Sequence, residues 1–138
     1  MIVLDSSFII GFHNERDAHN KTAVGLMDRF LAGEWGQGLL LEYVFLEVST
    51  VLVARRGPAL AARVGKLLLD AEELDFVPCS GLFSEAFKIF SQQRNTHLSF
   101  ADAAIAHVAR RHADGLVLTF DEELAKRPGV QVPSTSQK

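Results

Sequence analysis

Cysteine is nearly absent. Cys79 stands alone among 138 residues, so no internal disulfide can form, and a lone thiol suits a reducing cytoplasm. Cys79 itself reads as a small core or surface residue. An excess of basic charge is also missing: 14 lysines and arginines face 17 aspartates and glutamates, for a formal charge of −3. That excludes a chain that clings to nucleic acid through a large basic face, but not a nucleic-acid enzyme whose active site is itself acidic. No apolar run approaches the ~20 residues that span a bilayer. The opening MIVLDSSFII has no basic segment and carries Asp5 inside its apolar stretch, unlike a signal peptide. A soluble cytoplasmic protein is the expectation. Five histidines, His13, His19, His97, His107 and His112, have no zinc-motif spacing and read as surface or loop residues. Repeats and low-complexity segments are lacking too.

What is present is an ordinary globular composition, 48% apolar, long enough for one compact domain that buries roughly two-thirds of its surface. Residues 1–133 are expected to form that domain, with 134–138 as a short frayed tail. Ile2, Val3 and Leu4 form an apolar run too short for a helix, hence a buried strand. Ser6 and Ser7 can cap a short helix through Phe8, Ile9 and Ile10. A loop over 13–20 leads to a helix over 22–32, with Val24, Leu26, Met27, Phe30 and Leu31 at helical spacing. Leu39–Leu41 reads as a second strand, and 43–56 as a helix stopped by Gly57 and Pro58. A helix over 59–71 carries a stripe of Leu60, Val64, Leu67 and Leu68. Phe76 and Val77 suggest a third strand. A helix over 84–93 is expected to turn Phe87 and Phe90 inward. Ser99 caps a helix to His112, Leu116–Leu118 makes a fourth strand, and Asp121 opens a short helix. Val130 and Val132 form a short fifth strand. Buried strands alternating with helices predict an α/β/α sandwich around a parallel sheet of about five strands.

The acids are arranged unevenly. Asp5 follows the first strand and Asp121 follows the fourth, at the strand ends where parallel sheets form ligand sites. Glu47 shares a helical stripe with Tyr43, Val44, Thr50 and Val51, and Asp102 with Leu98, Ser99, Ile105 and Ala106. Both stripes are mostly apolar, which points both acids towards the core side. Unpaired charges there need a partner, and no lysine or arginine shares these stripes. Two carboxylates ~4 Å apart repel by about 4 kcal/mol at an effective dielectric of ~20, so such a cluster takes up protons or binds metal. Oxygen-only ligands favour Mg²⁺ or Mn²⁺ over zinc. The competing structural roles are helix capping for Asp5 and Asp121, an ion pair with Arg94 for Asp102, and a rim position for Glu47. Glu42 follows the second strand and stands open between this site and the surface. Glu122 and Glu123 suit a helix dipole.

The segments VLDSSFII, FLEVSTVL, LSFADAAIAHVA and LVLTFDEEL, in that order, resemble the PIN domains, especially the VapC-type toxins of prokaryotic toxin–antitoxin pairs. The resemblance spans nearly the whole chain. It implies a metal-dependent endoribonuclease with Asp5, Glu47, Asp102 and Asp121 as the acid cluster. It also implies hydroxyl residues at Ser6, Ser7 and Thr119 beside it, of which Ser6 and Thr119 would position water or phosphate. It further implies an RNA substrate, a small antitoxin partner and a homodimer. Arg55, Arg56, Arg63, Lys66, Arg110 and Arg111 are candidates for gripping RNA. Two other classes compete. A receiver-type phosphoacceptor wants an adjacent acid pair after the first strand, where this chain has Asp5 alone. A non-catalytic interaction protein on a decayed nuclease scaffold would not bind metal.

Overall fold

The computed structural model describes residues 1–135; part of the expected tail, 136–138, lies outside the described residues. The chain opens with β1 (Ile2–Leu4), α1 (Ser6–His13) and α2 (Asn20–Leu31). It continues through β2 (Gly38–Leu41), α3 (Glu42–Arg56), α4 (Pro58–Asp70) and β3 (Leu74–Val77). The last part holds α5 (Phe83–Gln92), α6 (Phe100–His112), β4 (Val117–Leu118) and α7 (Glu122–Ala125).

The four strands form one parallel sheet in the order β3-β2-β1-β4, with Val3 opposite both Leu39 and Val117. The central strands are short and wholly apolar because helices cover both faces. Ile2, Val3, Leu4, Leu40, Leu41, Val117 and Leu118 are all buried. Right-handed crossovers carry the chain from β1 to β2 to β3 along one face, through α1–α4. The return from β3 to β4 runs in the opposite direction, so α5 and α6 cover the other face. Strand order therefore reverses between β1 and β4, the crevice where open parallel sheets take ligands.

The expected fifth strand is reduced to a single bridge, Leu116 opposite Gln131. Its approach depends on Gly115, at φ +84°, where a Cβ would meet the Gly129 carbonyl oxygen at 2.0 Å. The tail is tied at its start: Arg29 donates to the Ser134 carbonyl at 2.6 Å.

Three helix faces are rotated from the sequence expectation. In α4 the buried stripe is Ala61, Val64, Gly65 and Leu68, while Leu67 is exposed. In α5 the buried residue is Ala86, and Phe87 and Phe90 lie outward. In α2 the inward residues are Ala23, Leu26 and Phe30, while Val24 and Leu31 are exposed. In α4 and α5 small residues supply the close contacts, so the largest apolar side chains there do not mark the buried face.

Candidate active site

One cavity of about 460 Å³ opens at the carboxyl end of the sheet, lined by Asp5, Glu47, Asp102 and Asp121. The four acids come from four elements. Asp5 directly follows β1 and occupies the N-cap position of α1. Glu47 lies on α3, which starts directly from β2 without a loop. Asp102 lies in the first turn of α6, and Asp121 caps α7 just beyond β4.

A net of hydroxyls ties β1 to β4. Asp5 Oδ2 accepts hydrogen bonds from Ser7 Oγ at 2.8 Å and Thr119 Oγ1 at 2.7 Å. Ser7 Oγ in turn accepts from the Phe120 amide at 2.9 Å, and Thr119 Oγ1 from the Asp121 amide at 2.9 Å. Ser6 donates its hydroxyl to the Glu47 carboxylate, linking α1 to α3. Asp102 forms a reciprocal capping box with Ser99: its Oδ2 accepts from the Ser99 amide, and the Ser99 Oγ accepts from the Asp102 amide, each at 3.1 Å. Asp121 Oδ1 accepts from the amides of Glu123 and Leu124.

Each carboxylate thus has one oxygen held by the protein. Asp5 Oδ1 lies 3.5 Å from Ser6 Oγ, and the Ser6 amide also donates to this carboxylate. Carboxylates fixed by the protein and facing one cavity are what an oxygen-loving cation requires. The donor set is all oxygen and fits Mg²⁺ or Mn²⁺ rather than a soft ion. Among the described residues no three acidic, histidine or cysteine side chains already close into a metal cage. The fit therefore rests on donor chemistry and a shared cavity, not on a finished coordination shell.

The electrostatics record the crowding. Burial pushes the Asp5 carboxyl above its ordinary range; the hydroxyls of Thr119 and Ser7 oppose this, and the Glu47 charge adds to it. Asp102 is raised to about 6, first by burial and then by the charges of Asp5 and Asp121, with Ser99 opposing.

The sequence expectations divide here. Asp5 and Asp102 are buried. Glu47 is not: Val44, Val48 and Leu52 form the buried stripe of α3, and Glu47 is exposed at the cavity rim. Asp102 pairs with Ser99, not with Arg94. Glu42 is outside the cavity; its carboxylate accepts from the Cys79 amide at 2.9 Å and pins the chain leaving β3. Of the candidate RNA-gripping residues only Arg55 lines this cavity. Arg56 donates to Asn14, Lys66 pairs with Asp70, and Arg110 and Arg111 line a separate groove.

The surface-or-loop reading holds for His19, His97 and His112, all exposed, and not for His13 and His107. His19 and His97 line the cavity, while His13 and His107 are half-buried within helices. Asp17 and Phe120 also line it and were not singled out. A sequence signal existed for Phe120 alone, since it lies between Thr119 and Asp121.

The chain is thus a parallel α/β sandwich with an acid-lined cavity at its strand reversal, where open parallel sheets take ligands. The PIN domain family model matches residues 2–130, and the chain belongs to that family. No curated protein matches it by sequence. Solved structures share its fold, among them the following two. Mycobacterium tuberculosis VapC20, described as a sarcin-ricin loop cleaving toxin, superposes with a TM-score of 0.81 at 22% identity, over 94% of this chain and 97% of that one. PAE2754 from Pyrobaculum aerophilum gives 0.61 at 22% identity, over 95% and 82%. The expected fold class stands: a parallel sheet between helical layers, with four strands and a bridge in place of about five strands. Among the described residues no helix is long and apolar enough to cross a membrane.

Proposed function

We propose that this chain is a Mg²⁺- or Mn²⁺-dependent endoribonuclease of the VapC type, the toxin of a toxin–antitoxin pair acting in the cytoplasm. The observation that carries the reading is the set of four carboxylates from four elements around one cavity, each held through one oxygen. Residues 1–133 form the nuclease unit. Asp5, Asp102 and Asp121 hold the ion, and Glu47 completes the shell or orients the attacking water. The ion, when bound, makes water a better nucleophile and neutralises charge on the phosphate. Ser6 fixes the Glu47 carboxylate and Thr119 fixes that of Asp5, so both hydroxyls act by positioning. Arg55, on the cavity wall, offers the backbone a positive charge. The partners of this reading are an RNA substrate, a cognate antitoxin and a second copy of the chain.

The test is cleavage of a mixed pool of structured and single-stranded RNAs with Mg²⁺, Mn²⁺ or EDTA, comparing wild type with Asp102→Asn. Metal-dependent cutting that vanishes in the variant is expected. No cutting in any lane, with no metal-dependent rise in Tm, would replace the enzyme by a non-catalytic scaffold.

A further inference from the structure

One wall of the acid cavity is aromatic. The His19 imidazole lies flat on the Phe120 ring, with centroids 4.3 Å apart and planes 5° from parallel. Phe120 in turn packs at a tilt against Phe8, centroids 6.1 Å apart, and Phe8 is fully buried in the core. The three rings form a short ladder running from the core to the cavity, and His19 is its exposed end. Among the described residues no further ring covers the outer face of His19.

The ladder is built into the frame that holds the acids. Phe120 sits between Thr119, whose hydroxyl binds Asp5, and Asp121, and its amide donates to Ser7. The His19 amide is fixed by Asp17 Oδ1 at 2.8 Å. An exposed flat ring, stacked on Phe120 beside a site for a phosphodiester, is a stacking platform for a base.

We propose that His19 is a substrate-positioning residue, its imidazole stacking on one unpaired nucleobase beside the phosphodiester held at the carboxylates. This rests on the ribonuclease reading and adds to it a residue that grips the base. A base inside a helix has both faces covered by its neighbours and cannot offer one to His19. A base in a loop can, while its backbone reaches the carboxylates. Ring shape is what matters in this role, so a phenyl group should replace the imidazole.

The experiment is equilibrium binding, read by fluorescence anisotropy, to the non-cleaving Asp5→Asn protein in Mg²⁺. The probes are labelled single-stranded RNA oligonucleotides, the matching duplex, and a series with one abasic site moved along the strand. Tighter binding of the single strand is expected, together with one abasic position that weakens it about tenfold, the scale of one stacked base. Adding His19→Ala should weaken intact RNA by a similar factor and abolish the abasic penalty at that position. His19→Phe should restore both. Equal abasic penalties with and without His19→Ala would overturn the stacking role. So would recovery of binding by His19→Asn but not by His19→Phe, which would make His19 a hydrogen-bonding residue. RNA binding and cutting by the wild type, with no effect of His19 variants, would remove this inference and leave the ribonuclease reading standing. Absence of both would remove the two together.

Discussion

The acid cavity has a deep half and a rim half. Asp5 and Asp102 are 2% and 8% exposed, whereas Glu47 is exposed and Asp121 half-buried. The deep pair pays for its position: burial pushes both carboxyls upward, helped by the Glu47 charge at Asp5 and by those of Asp5 and Asp121 at Asp102. Glu47 sits on a helix whose buried face is already filled by Val44, Val48 and Leu52. The deep acids are therefore costly to the metal-free fold and best suited to a counter-ion; the rim acids are less desolvated and act mainly through their charge on the deep pair. Function and stability should separate along that line.

The largest separation is expected in catalysis. Asp5→Asn keeps an oxygen for the Ser7 and Thr119 hydroxyls but removes the charge. It should lower kcat/KM for RNA by at least about 100-fold, the scale of losing one transition-state stabilising group. Glu47→Gln, at the rim, should lower it by only about tenfold. Equal losses at both positions, measured under the same Mg²⁺ concentration, would erase the distinction between the two halves.

The second separation is in stability, and its sign is opposite. In the folded protein Asp102 titrates near 6, above its ordinary value of 3.8. The folded state thus binds a proton that the unfolded state has released, so stability falls as pH rises from about 4 through 6. Above that window the ionised Asp102 costs the metal-free fold its full penalty. Two pKa units correspond to about 3 kcal/mol, and access of water to the cavity reduces this to roughly 2. Asp102→Asn retains an oxygen for the Ser99 amide. At pH 7.5 in EDTA it should raise Tm by roughly 5 °C or more while abolishing activity. At pH 4 the difference from wild type should shrink towards zero. A variant less stable than wild type at pH 7.5 would mean that the capping box, not the buried charge, dominates at this position.

What was legible in the sequence follows the same division. Asp5 and Asp121 were found because short apolar runs end at them, and a parallel sheet puts strand ends on one side. Asp102 was found because its helical neighbours are apolar, and here that pattern reflects real burial. The same pattern misled at Glu47. Tyr43 and Val51 flank it on α3, yet both are only half-buried, and the helix turns its Val44–Val48–Leu52 stripe to the core. Apolar neighbours fix a helix face only to within about one residue's rotation, and a rim residue lies inside that margin. The outward Phe87 and Phe90 of α5 reflect the same limit, with Ala86 making the close contact instead. The stack of His19 on Phe120 had no local signal at all, because it joins the loop before α2 to the turn after β4. Tertiary folding alone brings those rings together.

The smallest expected effect is the sharpest check on the rim half. Glu47→Gln preserves an oxygen for the Ser6 hydroxyl and removes a charge that lies in solvent. Its unfolding free energy in EDTA should stay within about 0.5 kcal/mol of wild type, as for surface substitutions generally. Ser99→Ala, by contrast, removes the hydroxyl acceptor at the start of α6 and should cost about 1 kcal/mol. Urea denaturation resolves a difference of that size. If Glu47→Gln stabilised the protein as much as Asp102→Asn, the Glu47 charge would belong energetically to the deep cluster. The cavity would then act as one electrostatic unit in which exposure of a single member does not shield it from the others.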